Sequence, residues 1–111
     1  MAMATTANMR LVYVTAGSVE AAKAIGGAMV EQRLAACANI LPGMISVYRW
    51  QGKIEHSDEV VLLLKTTAER VDALLDAING AHDYDTPCAI ALSVDQGLPD
   101  FMNWVAEETS A

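Results

Sequence analysis

An α+β domain in the order β-α-β-β-α-β-α is what this chain encodes, and three observations carry that reading. Runs of β-branched and aromatic residues recur at 10–15, 36–50, 54–65 and 88–94. Two of the intervals between them place apolar residues at helical spacing. The middle two runs are joined by Gln51-Gly52, a two-residue turn signal. The first six elements form the split βαβ pattern, an antiparallel sheet with two helices on one face. At 111 residues there is material for one core in one domain, over 9–111, with residues 1–8 a loose flexible tail.

Arg10 to Thr15 (RLVYVT), closed by Ala16-Gly17-Ser18, reads as the first strand. Ser18 is an N-cap for a helix to about Arg33, with Ala22, Ile25 and Met29 on one face and Leu34 extending it. Gly26-Gly27 in its middle is read as close approach to the sheet. Without G-x-G-x-x-G or a following Lys-Ser/Thr, it is no phosphate loop. Ala36–Leu41 and Ile45–Trp50 form one long strand with a bulge at Pro42-Gly43. Trp50 and Lys53 should then face each other across the hairpin. The return strand ends in Val60-Val61-Leu62-Leu63-Leu64-Lys65. Five apolar residues in succession mean burial on both faces, or a second face turned to another subunit.

Thr66 with Glu69 predicts a capping box for the second helix. Val71, Leu74, Leu75 and Ile78 form its stripe, and Gly80 its C′ residue. Residues 81–87 are irregular, Cys88–Val94 is the last strand, and Pro99 opens a terminal helix with Phe101, Trp104 and Val105 on its apolar face. One sheet face is left without a cover, and self-association is the natural one.

Fourteen acidic against seven basic residues give a formal charge of −7. That balance repels phosphate backbones and anionic lipid, so neither nucleic acid nor a membrane is an expected partner. Met1–Arg10 has no basic segment followed by an apolar one, and Cys37 and Cys88 make no disulfide framework. The expected location is the cytoplasm.

Several stretches stand out once the element order is in place. They are Glu31-Gln32-Arg33-Leu34-Ala35-Ala36-Cys37-Ala38-Asn39-Ile40 with Pro42-Gly43, then Ser46-Val47-Tyr48-Arg49-Trp50-Gln51-Gly52-Lys53-Ile54. Glu59-Val60, Leu64-Lys65-Thr66, His82-Asp83-Tyr84-Asp85-Thr86-Pro87 and Trp104 complete the set. In these the chain resembles the CutA divalent-cation tolerance family. The resemblance implies a ferredoxin-like fold assembled as a tight homotrimer, with hairpins of neighbouring subunits pairing. It also implies a PII-like architecture with clefts between subunits. It implies a non-enzymatic role in tolerance of, or response to, copper and other divalent metals. Some departures bear on copper. Val14 stands where certain bacterial relatives carry cysteine, and Ala81-His82 where they have two histidines. Asp83 replaces the usual Pro, and Cys88 the usual Glu.

Three constellations could carry chemistry. His82 and Cys88 are the natural metal pair, because imidazole and thiolate suit copper or zinc. Two ligands hold copper or another divalent ion only weakly, and no cofactor is required. The bland alternative makes Cys88 a packing residue and His82 a cap of the preceding helix. Cys37, Trp50, Lys65 and Tyr84 are the candidates for an inter-subunit cleft that takes a small anionic ligand. There Lys65 and the Thr66/Thr67 amides supply the positive end, and Tyr84 and Trp50 the walls. Against that, the Lys65 stem can simply lie on apolar surface, and Trp50 can be hairpin packing. Cys37 with His82 would be a thiol enzyme, but no third group orients the pair.

Overall fold

The computed structural model describes residues 8–110; the segment expected to be a loose tail falls, except for Asn8, outside them. The strands are β1 (Met9–Ala16), β2 (Cys37–Trp50), β3 (Lys53–Thr67) and β4 (Ala89–Ser93), and the helices α1 (Val19–Glu31), α2 (Val71–Ala81) and α3 (Pro99–Glu108). The sheet is antiparallel in the order β2-β3-β1-β4, as the split βαβ pattern requires.

Ser18 starts α1 as expected, its Oγ accepting the Ala21 N–H at 3.0 Å. Ala22, Ile25, Gly26 and Met29 are the buried residues of this helix. Gly26 is where helix and sheet touch. A Cβ there would lie 3.0 Å from Ala38 Cβ and 3.1 Å from Leu62 Cδ1. Gly27, by contrast, faces open space, so only the first glycine of the pair serves the close approach.

β2 and β3 make the long hairpin. Trp50 pairs with Lys53, and Gln51 (φ 50°) and Gly52 (φ 82°) both take positive φ, the type I′ geometry. The register shifts between Leu41 and Met44, and Gly43 there has φ 88°. Pro42 has no N–H to give to a ladder, and the bulge accommodates it. The hairpin stretches the molecule to 52 Å in one direction and raises the radius of gyration to 14.8 Å. A compact chain of this length would have about 13 Å.

Val60, Leu62 and Leu64 of β3 are buried, as are Val12, Val14 and Ala16 of β1, and all face α1 and α2. Leu74 and Ile78 close this core from α2. Val61 and Leu63 point the other way and are only half-buried. Of the two readings for the five apolar residues, the single chain therefore buries one face. The bare face continues through Leu41, Ile90 and Leu92, which are 50%, 53% and 46% exposed. A smaller cluster of Met9, Ala36, Met102 and Val105 seats α3 at the sheet end.

Three local expectations are corrected. Thr66 caps nothing: it is fully buried and its Oγ1 donates to Leu34 O at 2.7 Å. The chain instead makes a 3-10 turn over Ala68–Arg70, and α2 begins at Val71 without a side-chain cap. Gly80 lies inside α2, whose C-cap is His82. In α3 the buried residues are Met102 and Val105, whereas Phe101 and Trp104 stack on each other at the surface, centroids 5.8 Å apart. No helix among the described residues is long and apolar enough to cross a membrane.

Candidate functional site

The loop after α2 folds back onto the sheet because His82 anchors it. The His82 side chain is wholly buried. Its Nε2 donates to Thr15 O at 2.7 Å, and its Nδ1 accepts the Tyr84 N–H at 3.2 Å. Both ring nitrogens are thus occupied within the chain, with Asp83 Oδ1 a further 3.5 Å neighbour of Nδ1. His82 is the C-cap residue of α2 through its backbone N–H to Ile78 O, but its ring, expected to complement the helix end, is turned to Thr15 and Tyr84 instead. Cys88 is a half-buried free thiol on the far side of the loop, where its carbonyl accepts the Thr15 N–H. Among the described residues, no three His, Cys, Asp or Glu side chains converge as a metal nest.

Anchored this way, the loop sets Tyr84 over the sheet. The Tyr84 ring lies 4.5 Å from the His82 ring, centroid to centroid, and its hydroxyl donates to Glu59 Oε2 at 2.7 Å. Burial, then the Glu59 carboxylate holding the proton, raises the Tyr84 phenol well above the ordinary phenol range. The Tyr84 ring lies over Gly17, where a Cβ would make ordinary contact with the hydroxyl at 3.4 Å.

Between this loop and the hairpin lies a cleft of about 700 Å³. Tyr13 and Thr15 of β1 form its floor; Tyr48 and Trp50 of β2 and Tyr84 of the loop form its walls. Asp58, Glu59 and Asp85 supply its charge, and Cys88 lies at one end. No lysine or arginine lines it. The cleft therefore unites Trp50, Tyr84 and Cys88 from the candidate residues.

Cys37 and Lys65 are placed elsewhere. They pair directly across β2 and β3, and the Lys65 ammonium donates to the Asn39 side-chain oxygen. Six positions of strand separate Lys65 from Glu59, about 20 Å at the rise of an extended chain. Within one chain the four cleft candidates form two groups, and the cation meant to receive an anion is not at the cleft. Cys37 is likewise remote from His82: Thr15, which holds the imidazole, pairs with Val61, four positions from Lys65 and about 13 Å along the strand. The thiol–imidazole pair considered for catalysis does not form.

Tyr13, Thr15 and Asp58 escaped the sequence reading, and Glu59 and Asp85 entered it only as motif residues, not as cleft candidates. The available signal was register: pairing β1 with β3 puts Tyr13 opposite Leu63 and Thr15 opposite Val61, on the face that also carries Glu59.

Comparison with known proteins places this architecture. A family described as CutA1 divalent ion tolerance protein matches residues 10–108. Protein CutA of Mus musculus is 41% identical over 89% of this chain, and the match spans 56% of the mouse protein. The divalent-cation tolerance protein CutA of Thermus thermophilus is 40% identical, over 89% of this chain and 96% of its own. The crystal structure of CutA from Xylella fastidiosa superposes with a TM-score of 0.90 at 41% identity, covering 93% of this chain and 99% of that one.

Proposed function

This chain belongs to the CutA1 divalent ion tolerance family, and from that premise we propose that it is a non-enzymatic, homotrimeric protein of divalent-metal tolerance working in the cytoplasm. The observation that carries the reading is a family match running through both sheet halves and all three helices. The family is named for tolerance of divalent ions, not for a reaction. Assembly is supported by the bare apolar sheet face, with Ile90 and Leu92 about half exposed. Copies of the chain packed on that face would remove it from water. Copper or another divalent ion is held weakly, by His82 and Cys88 at a boundary between subunits. For that the imidazole must release the Tyr84 N–H or the Thr15 carbonyl.

The test has two arms. Light scattering on the full chain is expected to give three times the protomer mass, and a well-folded protomer in dilute solution would overturn the assembly. Deleting the gene is expected to sensitise cells to copper, with rescue by the wild-type chain and weaker rescue by a His82→Ala, Cys88→Ala variant. Unchanged growth across copper, zinc and cadmium would overturn the tolerance role, and full rescue by the variant would overturn the metal pair.

One further reading has its own observation, the 700 Å³ cleft. That volume lies within the range of small-molecule sites. It supports a ligand-sensing role in which a small molecule seated between loop and hairpin is read out by the assembly.

A further inference from the structure

We propose that the pocket at the C-terminal end of α3, at the opposite end of β3 from the hairpin turn, binds a small organic monocarboxylate. It is separate from both the metal pair and the cleft. About 300 Å³ in volume, it is lined by Thr67 at the end of β3, by Arg70 in the turn that follows, and by Thr109 and Ser110 at the end of α3. That volume is at the lower end of the range for small-molecule sites. No lysine or arginine lines the cleft, whereas the Arg70 guanidinium lines this pocket. The pocket also stands apart from the bare apolar face. Thr67 lies six positions beyond Val61 and four beyond Leu63 on β3, about 20 Å and about 13 Å along the strand. The same chain covers this end of the sheet with α3: Met9, which pairs with Thr67, packs against Met102 and Val105.

The guanidinium is held in place for an anion. Its Nε donates to Thr109 O at 2.5 Å, which fixes the plane of the group. Among the described residues Arg70 makes no ion pair, so both Nη groups are left to a carboxylate. The end of a helix normally repels anions through its last carbonyls. Here those carbonyls are engaged: Glu107 O by the Ser110 N–H and hydroxyl, Glu108 O by Arg33, and Thr109 O by Arg70. Thr67 supplies the independent sign of a ligand. It is 8% exposed, and its hydroxyl neither caps the following turn nor makes a hydrogen bond among the described residues. A buried hydroxyl without a partner is costly, and a carboxylate oxygen would accept from it. One guanidinium matches one negative charge. Glu69 lines the same pocket and the chain carries a formal charge of −7, so a dianion is disfavoured.

The experiment follows the backbone amides of Thr67, Glu69, Arg70 and Ser110 by NMR in the full chain, as its native oligomer, during titration with lactate at constant ionic strength. Saturable shifts at these amides are expected. Lactamide, of the same size without the charge, should leave them unmoved, and phosphate should bind at least about tenfold more weakly than lactate. Arg70→Gln should weaken lactate binding at least about tenfold. Thr67→Val, which keeps the shape and removes the hydroxyl, should weaken it severalfold. Lys23→Gln removes one positive charge from an exposed position of α1 and should leave affinity within about twofold. If Arg70→Gln releases α3 and fails to fold by circular dichroism, Thr67→Val decides: unchanged affinity in that variant would overturn the proposal. An equal loss in Lys23→Gln, or lactamide or phosphate binding as well as lactate, would overturn it too. So would the absence of saturable shifts, including the case in which a neighbouring subunit fills the pocket.

Discussion

The two faces of one sheet differ more than any two other regions of this molecule. Toward α1 and α2, Val12, Val14, Leu62 and Leu64 are fully enclosed, and the helix lies so close that a Cβ on Gly26 would crowd Ala38 and Leu62. Toward the other side, Leu41, Ile90 and Leu92 stand about half exposed beside Val61 and Leu63. The alternation along β3 produces both faces from the same stretch of sequence. Exposing that second face to water costs solvation free energy, which is what the assembly proposed above would recover.

That contrast can be broken from either side, and the largest effect belongs to the closed face. Leu62→Ala should lower unfolding stability by about 2–5 kcal/mol in urea denaturation, since the cavity has no route to collapse under α1. Ile90→Asp on the open face should leave the protomer folded by circular dichroism while lowering the assembled mass by light scattering. Gly26→Ala should cost about 1–3 kcal/mol by pushing α1 off the sheet. Gly27→Ala, one residue on and facing open space, should instead raise stability by up to about 1 kcal/mol. A thermal melt of the two variants side by side decides whether the close approach is confined to one position. Ser18→Ala, which deletes the cap of α1, should cost about 1 kcal/mol.

The smallest effect concerns pH. The folded state holds the Tyr84 proton more tightly than an unfolded chain does, through burial and the Glu59 hydrogen bond. Its contribution is fully present below the ordinary phenol pKa, about 10, and declines as pH rises beyond that value. Melting temperature between pH 8 and 11 should therefore fall more steeply in the wild type than in Tyr84→Phe. Parallel curves would show that the hydroxyl is not held as described.

Much of this architecture was legible because it is written in short-range chemistry. The positive-φ turn at Gln51-Gly52, the bulge at Pro42-Gly43 and the Ser18 cap each depend on residues within a few positions of one another. The same local logic misread Thr66. Its spacing to Glu69 fits a capping box, but a buried bond to Leu34 O, formed across 32 positions, claims the hydroxyl. Phe101 and Trp104 look like a core face at helical spacing, yet Met102 and Val105 are the ones turned toward β1. The cleft was legible in part. Trp50 and Tyr84 stood out by type, whereas Thr15 and Glu59 enter through strand register and a loop anchored by a histidine 67 positions from its partner. Lys65 stood out equally, but strand length carries it away from them.

The order β2-β3-β1-β4 leaves the outer hydrogen-bonding rims of β2 and β4 without a strand partner among the described residues. Two such rims on one molecule can join head to tail, and a chain of such unions either closes on itself after a few copies or runs on as a fibre. Which outcome prevails is a matter of angle, and the bulge at Pro42-Gly43 bends the strand that would set it. A kink that looks like a minor irregularity of one hairpin would then separate a finite particle from an endless one.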